Sequence, residues 1–228
     1  MKKIILFFLL SVTLSNVYSS GQYDARWKRV EELANKQLPE SAMKEVESIM
    51  QDAQKNQNFA ETVKAHIYKM RFTLEKNPDD APAVIKEFEA LVNSFKNTDE
   101  KALLHSMTAE LYAMYYQAQQ YTINQRTQIQ GYIPNNINEW SKNIFFKKIT
   151  DEIALSLENT DVLQKTDISK FETLLEKGKD SKEYQPTLYD FLTQRAINIL
   201  QAANNIAPLK NPLNNPAYFS PAKDFTLV

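Results

Sequence analysis

The sequence predicts an all-α protein, and three observations carry that expectation. Apolar residues recur at helical spacing along most of the chain, breakers are confined to short links, and glycine is almost absent. There are three glycines in 228 residues, against roughly 7% in average usage. Turn-rich β folds and phosphate-cradling loops need glycine for positive φ. Composition therefore argues against Rossmann-type and P-loop enzymes before any motif is sought.

The elements follow in chain order. Lys2 and Lys3 precede the apolar stretch Ile4–Leu14, and the small residues Val17, Ser19, Ser20 and Gly21 follow. As a helix that stretch spans about 16 Å, short of a ~30 Å hydrocarbon core. Residues 1–20 read as a secretory signal peptide, cleaved after Ser19 or Ser20. Tyr23, Trp27, Val30 and Ala34 mark a first amphipathic helix. Ala42, Val46, Ile49, Met50 and Ala53 mark a second, after the break at Pro39. Phe59, Val63, His66, Ile67, Met70 and Leu74 give a third, with Asn58 and Glu61 spaced as a capping box. Asn77-Pro78-Asp79-Asp80 ends it. Ile85, Phe88, Leu91 and Phe95 mark a fourth helix, and Leu104, Met107, Leu111, Met114 and Ala118 a fifth.

Gln117–Asn138 is rich in Gln, Asn and Tyr and holds Gly131 and Pro134, so it reads as an irregular connection. Periodicity resumes with Phe145, Ile149, Ile153 and Leu157. A short helix is expected around Phe171, Leu174 and Leu175, and a last long one on Leu188, Phe191, Leu192, Ile199 and Leu200. Pro186 suits the first turn of that last helix. Thr187 and Asp190 fit its capping box, and Tyr189 falls at the edge of its apolar stripe. The helical domain thus covers 21–203. Residues 204–228 hold Pro208, Pro212, Pro216 and Pro221 and read as a proline-rich tail or linker.

Helical hairpins of roughly 35–40 residues, none able to bury its own stripe, predict antiparallel pairs stacked as a tetratricopeptide-like α-solenoid. A compact helical array is the alternative. Asn77-Pro78 resembles a repeat-ending proline, while the Trp-Leu-Gly-Tyr signature of that repeat is absent.

Chemistry is sparsely signalled. The cysteine count is zero, which excludes disulfides, thiolate metal sites, cysteine nucleophiles and a cysteine-linked lipid anchor. Net charge is −1, so no general pull toward nucleic acid is expected. After the leader no stretch is apolar enough to span a membrane. His66 and His105 lack a second histidine at i+4, so a helical zinc pair is absent. The acidic pairs Glu31-Glu32, Asp79-Asp80, Asp99-Glu100 and Asp151-Glu152 point about 100° apart and suit helix starts better than acid–base work. Lys142, Lys147 and Lys148 read as a solvated helical face. No catalytic, cofactor or metal residue is assigned. Tyr112, Tyr116, Tyr121, Tyr132 and Trp140 are the candidate interaction residues, since aromatic clusters combine apolar area with polar tips. The competing destination for those on the fifth helix is the core.

Three stretches, in order, carry a family resemblance: LPESAMKEVESIMQDAQKNQNFAETVKAHIYKM from Leu38 to Met70, NQRTQIQ with INEWSKNIF between Asn124 and Phe145, and EYQPTLYDFLTQRAI from Glu183 to Ile197. The most specific piece is Pro186-Thr187-Leu188-Tyr189-Asp190 after Tyr184. Together they resemble the N-terminal helical region of bacterial alpha-2-macroglobulin family proteins over about residues 23–203. The resemblance implies a periplasmic or surface protease trap, in which a cut bait segment triggers rearrangement of β-sandwich domains. Many members add a Cys-Gln thioester. Without cysteine, no thioester residue carries over, and the motifs shared are packing and capping motifs. The expected function is a non-catalytic helical interaction or scaffold module, exported to the periplasm or outside the cell. Its expected partner is a protein, either downstream macroglobulin domains or an envelope protein. A free-standing tetratricopeptide-like binding module is the second reading.

Overall fold

A computed structural model describes residues 21–127, 129, 131–175 and 181–203. The signal-peptide and tail expectations, 1–20 and 204–228, lie outside them. The described residues form an all-helical protein with no strand. The helices are α1 (Gly21–Asn35), α2 (Pro39–Lys55), α3 (Phe59–Lys76), α4 (Ala81–Ser94), α5 (Thr98–Ile123), α6 (Lys142–Leu157), α7 (Thr160–Leu163), α8 (Ser181–Tyr184) and α9 (Leu188–Ala202). Short 3-10 turns occupy Pro78–Asp80, Ile137–Glu139 and Ile168–Phe171. None of these helices is long and apolar enough to cross a membrane.

The first two links share one geometry. Gln37 and Gln57 take positive φ, at 57° and 53°. The Leu38 amide closes on the Leu33 carbonyl at 3.0 Å, and the Asn58 amide on that of Ala53 at 2.9 Å. Both are Schellman-type helix ends, which normally use glycine at the left-handed position. In this glycine-poor chain glutamine takes the role twice, and it turns α1 onto α2 and α2 onto α3.

The interior forms three connected cores. The first joins α1, α2 and α3 through Tyr23, Trp27, Val46, Ile49, Tyr68 and Phe72. The second joins α3 and α4 to α5, α7 and α9 through Phe59, Phe88, Leu103, Leu163, Phe171 and Leu188. The third lies between α5, α6 and the end of α9, around Tyr112, Tyr116, Trp140, Phe145, Ile149 and Ile199. Helix α5 is the hub, because α4, α6 and α9 all pack against it. The last helix reaches back across some 85 residues of chain to do so: Arg195 pairs with Glu110, and the Gln117 side chain donates to the Ala202 carbonyl at 2.9 Å.

Five expectations are corrected in detail. Helix α5 runs on to Ile123, so the irregular connection begins at Asn124 and not at Gln117. Gln and Tyr do not stop a helix, and the fully buried Ile123 anchors the added turns. The Met107–Leu111–Met114–Ala118 line lies at the edge of α5, while Ala109, Tyr112, Ala113 and Tyr116 face inward. A helix packed on several sides has no single apolar stripe. Phe171 sits on a 3-10 turn followed by bends, not on a short α-helix. Asn58 caps α3 by accepting from the Glu61 amide at 3.1 Å, yet no reciprocal Glu61 cap forms, because that carboxyl turns inward. Finally, Thr187 is the cap of α9, so Pro186 stands outside the helix. Its carbonyl accepts from Ile168 at 3.1 Å, beside an isolated bridge between Asp167 and Thr187.

Candidate interaction surface

The five aromatic candidates divide sharply. Tyr112, Tyr116 and Trp140 are buried, so none of them is an exposed aromatic; Trp140 contributes only as part of the wall of a cleft. Tyr112 donates to Glu89 on α4, Tyr116 donates to Asn124 at 2.8 Å, and Trp140 donates to the Pro134 carbonyl at 2.6 Å. The Trp140 ring lies 5.5 Å from Tyr112 and 5.3 Å from Phe145, centroid to centroid. Each hydroxyl or indole N–H has a partner, so burial leaves no polar tip unsatisfied. Tyr121 and Tyr132 are the exposed pair, at 83% and 53%.

The α5–α6 connection builds the exposed surface from the buried one. Asn136 accepts from the Asn138 amide at 3.0 Å and starts the 3-10 turn. Arg126 donates to the Trp140 carbonyl at 2.9 Å. Gly131 takes φ 76° in the turn there, and a Cβ added to it would meet open space. Ile129, Tyr132 and Ile133 face solvent. Sequence reasoning missed Ile129 and Ile133. Four isoleucines stand in the Gln- and Asn-rich stretch 117–138, and spacing alone did not separate exposed Ile129 and Ile133 from buried Ile123 and Ile137.

Beside this connection lies a cleft of about 330 Å³ against α4. Ile85, Ile133, Ile137 and Trp140 supply apolar walls, and Lys86, Glu89 and Lys148 supply charge. Burial pushes the Glu89 carboxyl above its ordinary range. The Lys148 ammonium stands 5.6 Å from the Trp140 ring centroid. The lysines expected as one solvated face therefore separate: Lys147 pairs with Asp151 at 2.7 Å, and Lys148 turns to the cleft.

A second cleft of about 200 Å³ lies between α3 and α4. There His66 Nδ1 is 2.9 Å from Glu87, and Lys69 donates to the same carboxylate at 2.8 Å. The His66 bond, with Lys69, holds the Glu87 carboxyl at about 2. His66 Nε2 is buried without a partner. His105 meets Glu152 at 2.7 Å and ties α5 to α6. Among the described residues no three His, Asp or Glu side chains gather to hold a metal. The structural motif is intact: Thr187 and Asp190 cap each other's backbone, and Tyr189 packs half-buried on the second core.

The chain matches no family profile, no curated protein and no solved structure.

Proposed function

We propose that this chain is an exported, non-catalytic helical module that binds another protein. In this reading its hairpins stack in a tetratricopeptide-like manner, and it serves as the leading helical part of an alpha-2-macroglobulin-like protease inhibitor. One observation carries the proposal. Several buried and half-buried polar side chains tie one element to another. Trp27 donates to Glu61, Tyr68 to Glu31, Tyr112 to Glu89, Lys170 to Asp99 and Arg195 to Glu110. His105 and Glu152 join α5 to α6. Such pairs fix a framework, and on the α5–α6 connection Ile129, Tyr132 and Ile133 stand exposed close together in sequence, while the other exposed apolar side chains are scattered. Surfaces of that kind suit protein contact better than chemistry. The repeated Schellman links and the three ordered sequence stretches support the stacking and the lineage.

A free-standing binding module is the second reading. Helix α9 favours it, because its buried face is covered by α5 and α6 of the same domain.

The test is site-specific photo-crosslinking from Tyr121 and Tyr132 in cells that export the chain, with buried Tyr112 as control. The expected result is a discrete adduct with a macroglobulin-domain protein, encoded in frame or in the next gene. An adduct with an unrelated envelope protein selects the free-standing module. No adduct from either exposed position, or a soluble product that retains Met1, overturns the proposal.

A further inference from the structure

We propose that the cleft beside Trp140 docks an acidic segment of a partner protein, one that presents a bulky apolar side chain between carboxylates. This rests on the reading of the chain as a protein-binding module and names the chemistry of what it binds.

Three features converge on that occupant. The first is size. At about 330 Å³ the cleft is at the small end of ligand sites, enough for one or two side chains. The second is the apolar part of a mixed lining. Ile137 and Trp140 are buried beneath it, whereas Ile133 is 53% exposed at its lip. A side chain entering there covers apolar surface now in water. The third is charge. Lys86 and Lys148 both line the cleft and act on the Glu89 carboxylate there, though neither comes within ion-pair distance of a described carboxylate. Arg126 stands nearby, its guanidinium tied only to the Trp140 carbonyl among its described contacts. The single acid in the cleft, Glu89, accepts from the Tyr112 hydroxyl on the core side. The mouth therefore carries excess positive charge around an apolar floor. Complementary charge steers encounter and selects partners. Chain segments that combine aspartate or glutamate with an aromatic residue fit this surface, and basic segments are repelled.

Fluorescence anisotropy on the full chain tests the assignment. The probe is a labelled decapeptide of alternating aspartate and phenylalanine. Matched peptides with lysine in place of aspartate, or serine in place of phenylalanine, are controls. The acidic aromatic peptide is expected to bind, and both controls to bind at least tenfold more weakly. Lys86→Glu, on an exposed side chain, is expected to weaken binding about fivefold, and the Lys86→Glu/Lys148→Glu pair more than tenfold. Ile133→Asp is expected to abolish it. Binding should also weaken as salt rises from about 0.05 M to about 0.5 M.

Equal binding of acidic and basic peptides overturns the inference, as does wild-type affinity in Lys86→Glu with unchanged circular dichroism. A dimer in sedimentation that Ile133→Asp dissociates puts a second copy in the cleft and overturns it as well. So does a change in hydrogen exchange of residues 204–228 on lysine reversal, which assigns the cleft to the chain's own segment. If the peptide fails to bind while the Tyr132 adduct persists, only the acidic-segment inference falls. If both are lost, the binding-module reading falls with it.

Discussion

Glu61 is 1% exposed and accepts from the Trp27 indole at 2.5 Å across α1 and α3. The Lys64 ammonium lies 4.6 Å from the centroid of that Trp27 ring. Removing the acceptor strands a buried N–H, which costs about 1–3 kcal/mol. Glu61→Leu is expected to lose about 2 kcal/mol in urea denaturation, whereas Glu61→Gln, which keeps an oxygen in place, loses less than half of that. Equal losses would show that the hydrogen bond contributes nothing. Glu87 makes a pH-dependent contribution. Its carboxyl is held at about 2 by His66 and Lys69, against 4.5 ordinarily. A carboxyl depressed in the folded state stabilises above its unfolded value, and that stability is lost as pH falls from about 4.5 toward 2. Glu87→Gln removes the dependence. The stability gap between wild type and variant should therefore be largest above pH ~5 and close by pH ~2. It will be modest, because Glu87 is 34% exposed and partly screened.

Helix ends are where this sequence departs from ordinary chemistry. Gln37 and Gln57 hold left-handed conformations that glycine adopts without steric cost. Gln37→Gly and Gln57→Gly are each expected to stabilise by up to ~1 kcal/mol, read as a rise in denaturation midpoint. A fall at both sites would mean that the glutamine side chains contribute more than the backbone strain they incur. At the other end of the domain, Thr187 and Asp190 form the full capping box of α9. Tyr189 is half-buried against the second core. Tyr189→Ala is expected to cost about 2 kcal/mol, below the ~3–5 kcal/mol of a fully buried aromatic. Partner binding should fall only in proportion to unfolding. Unchanged stability with abolished binding would move Tyr189 from packing to recognition.

Among the described residues, α9 adds contacts with α5 and α6, far off in sequence, to the contacts between neighbouring helices. Arg195 pairs with Glu110 and donates to Ser106 at 3.0 Å, and Leu188 and Leu192 are fully buried in the second core. The α9–α5 contact is far apart in sequence and partly polar. Arg195→Ala is expected to raise hydrogen exchange in 188–203 at least several-fold, with α1–α3 unaffected. Exchange rising equally in α1 and α2 would show that the array opens as one cooperative unit instead of from its last helix.

The all-α class was legible because helical periodicity and near-absence of glycine are properties of neighbouring residues. The Thr187–Asp190 box, the Pro39 break and the stripes of α1, α2 and α3 are likewise local, and each stands where spacing predicted it. Burial of the fifth helix was not legible. Its Tyr112, Tyr115 and Tyr116 look alike as a string, and all three are buried in one core with residues of α6 and of α9, the latter some 80 residues on. Nor could spacing show that Glu61 would leave its capping position for Trp27, 34 residues away. The cleft joining Lys86 of α4 to Trp140 and Lys148 is of the same kind. Helix starts with a proline or a cap, at Pro39, Asn58 and Thr187, could be read from neighbouring residues, because those energies are set within a few residues; the end of α5 at Ile123 and the 3-10 turn at Phe171 could not. Where a helix has neighbours on several sides, as α5 does, long-range packing sets which faces are inside, because burial depends on what the rest of the chain brings alongside.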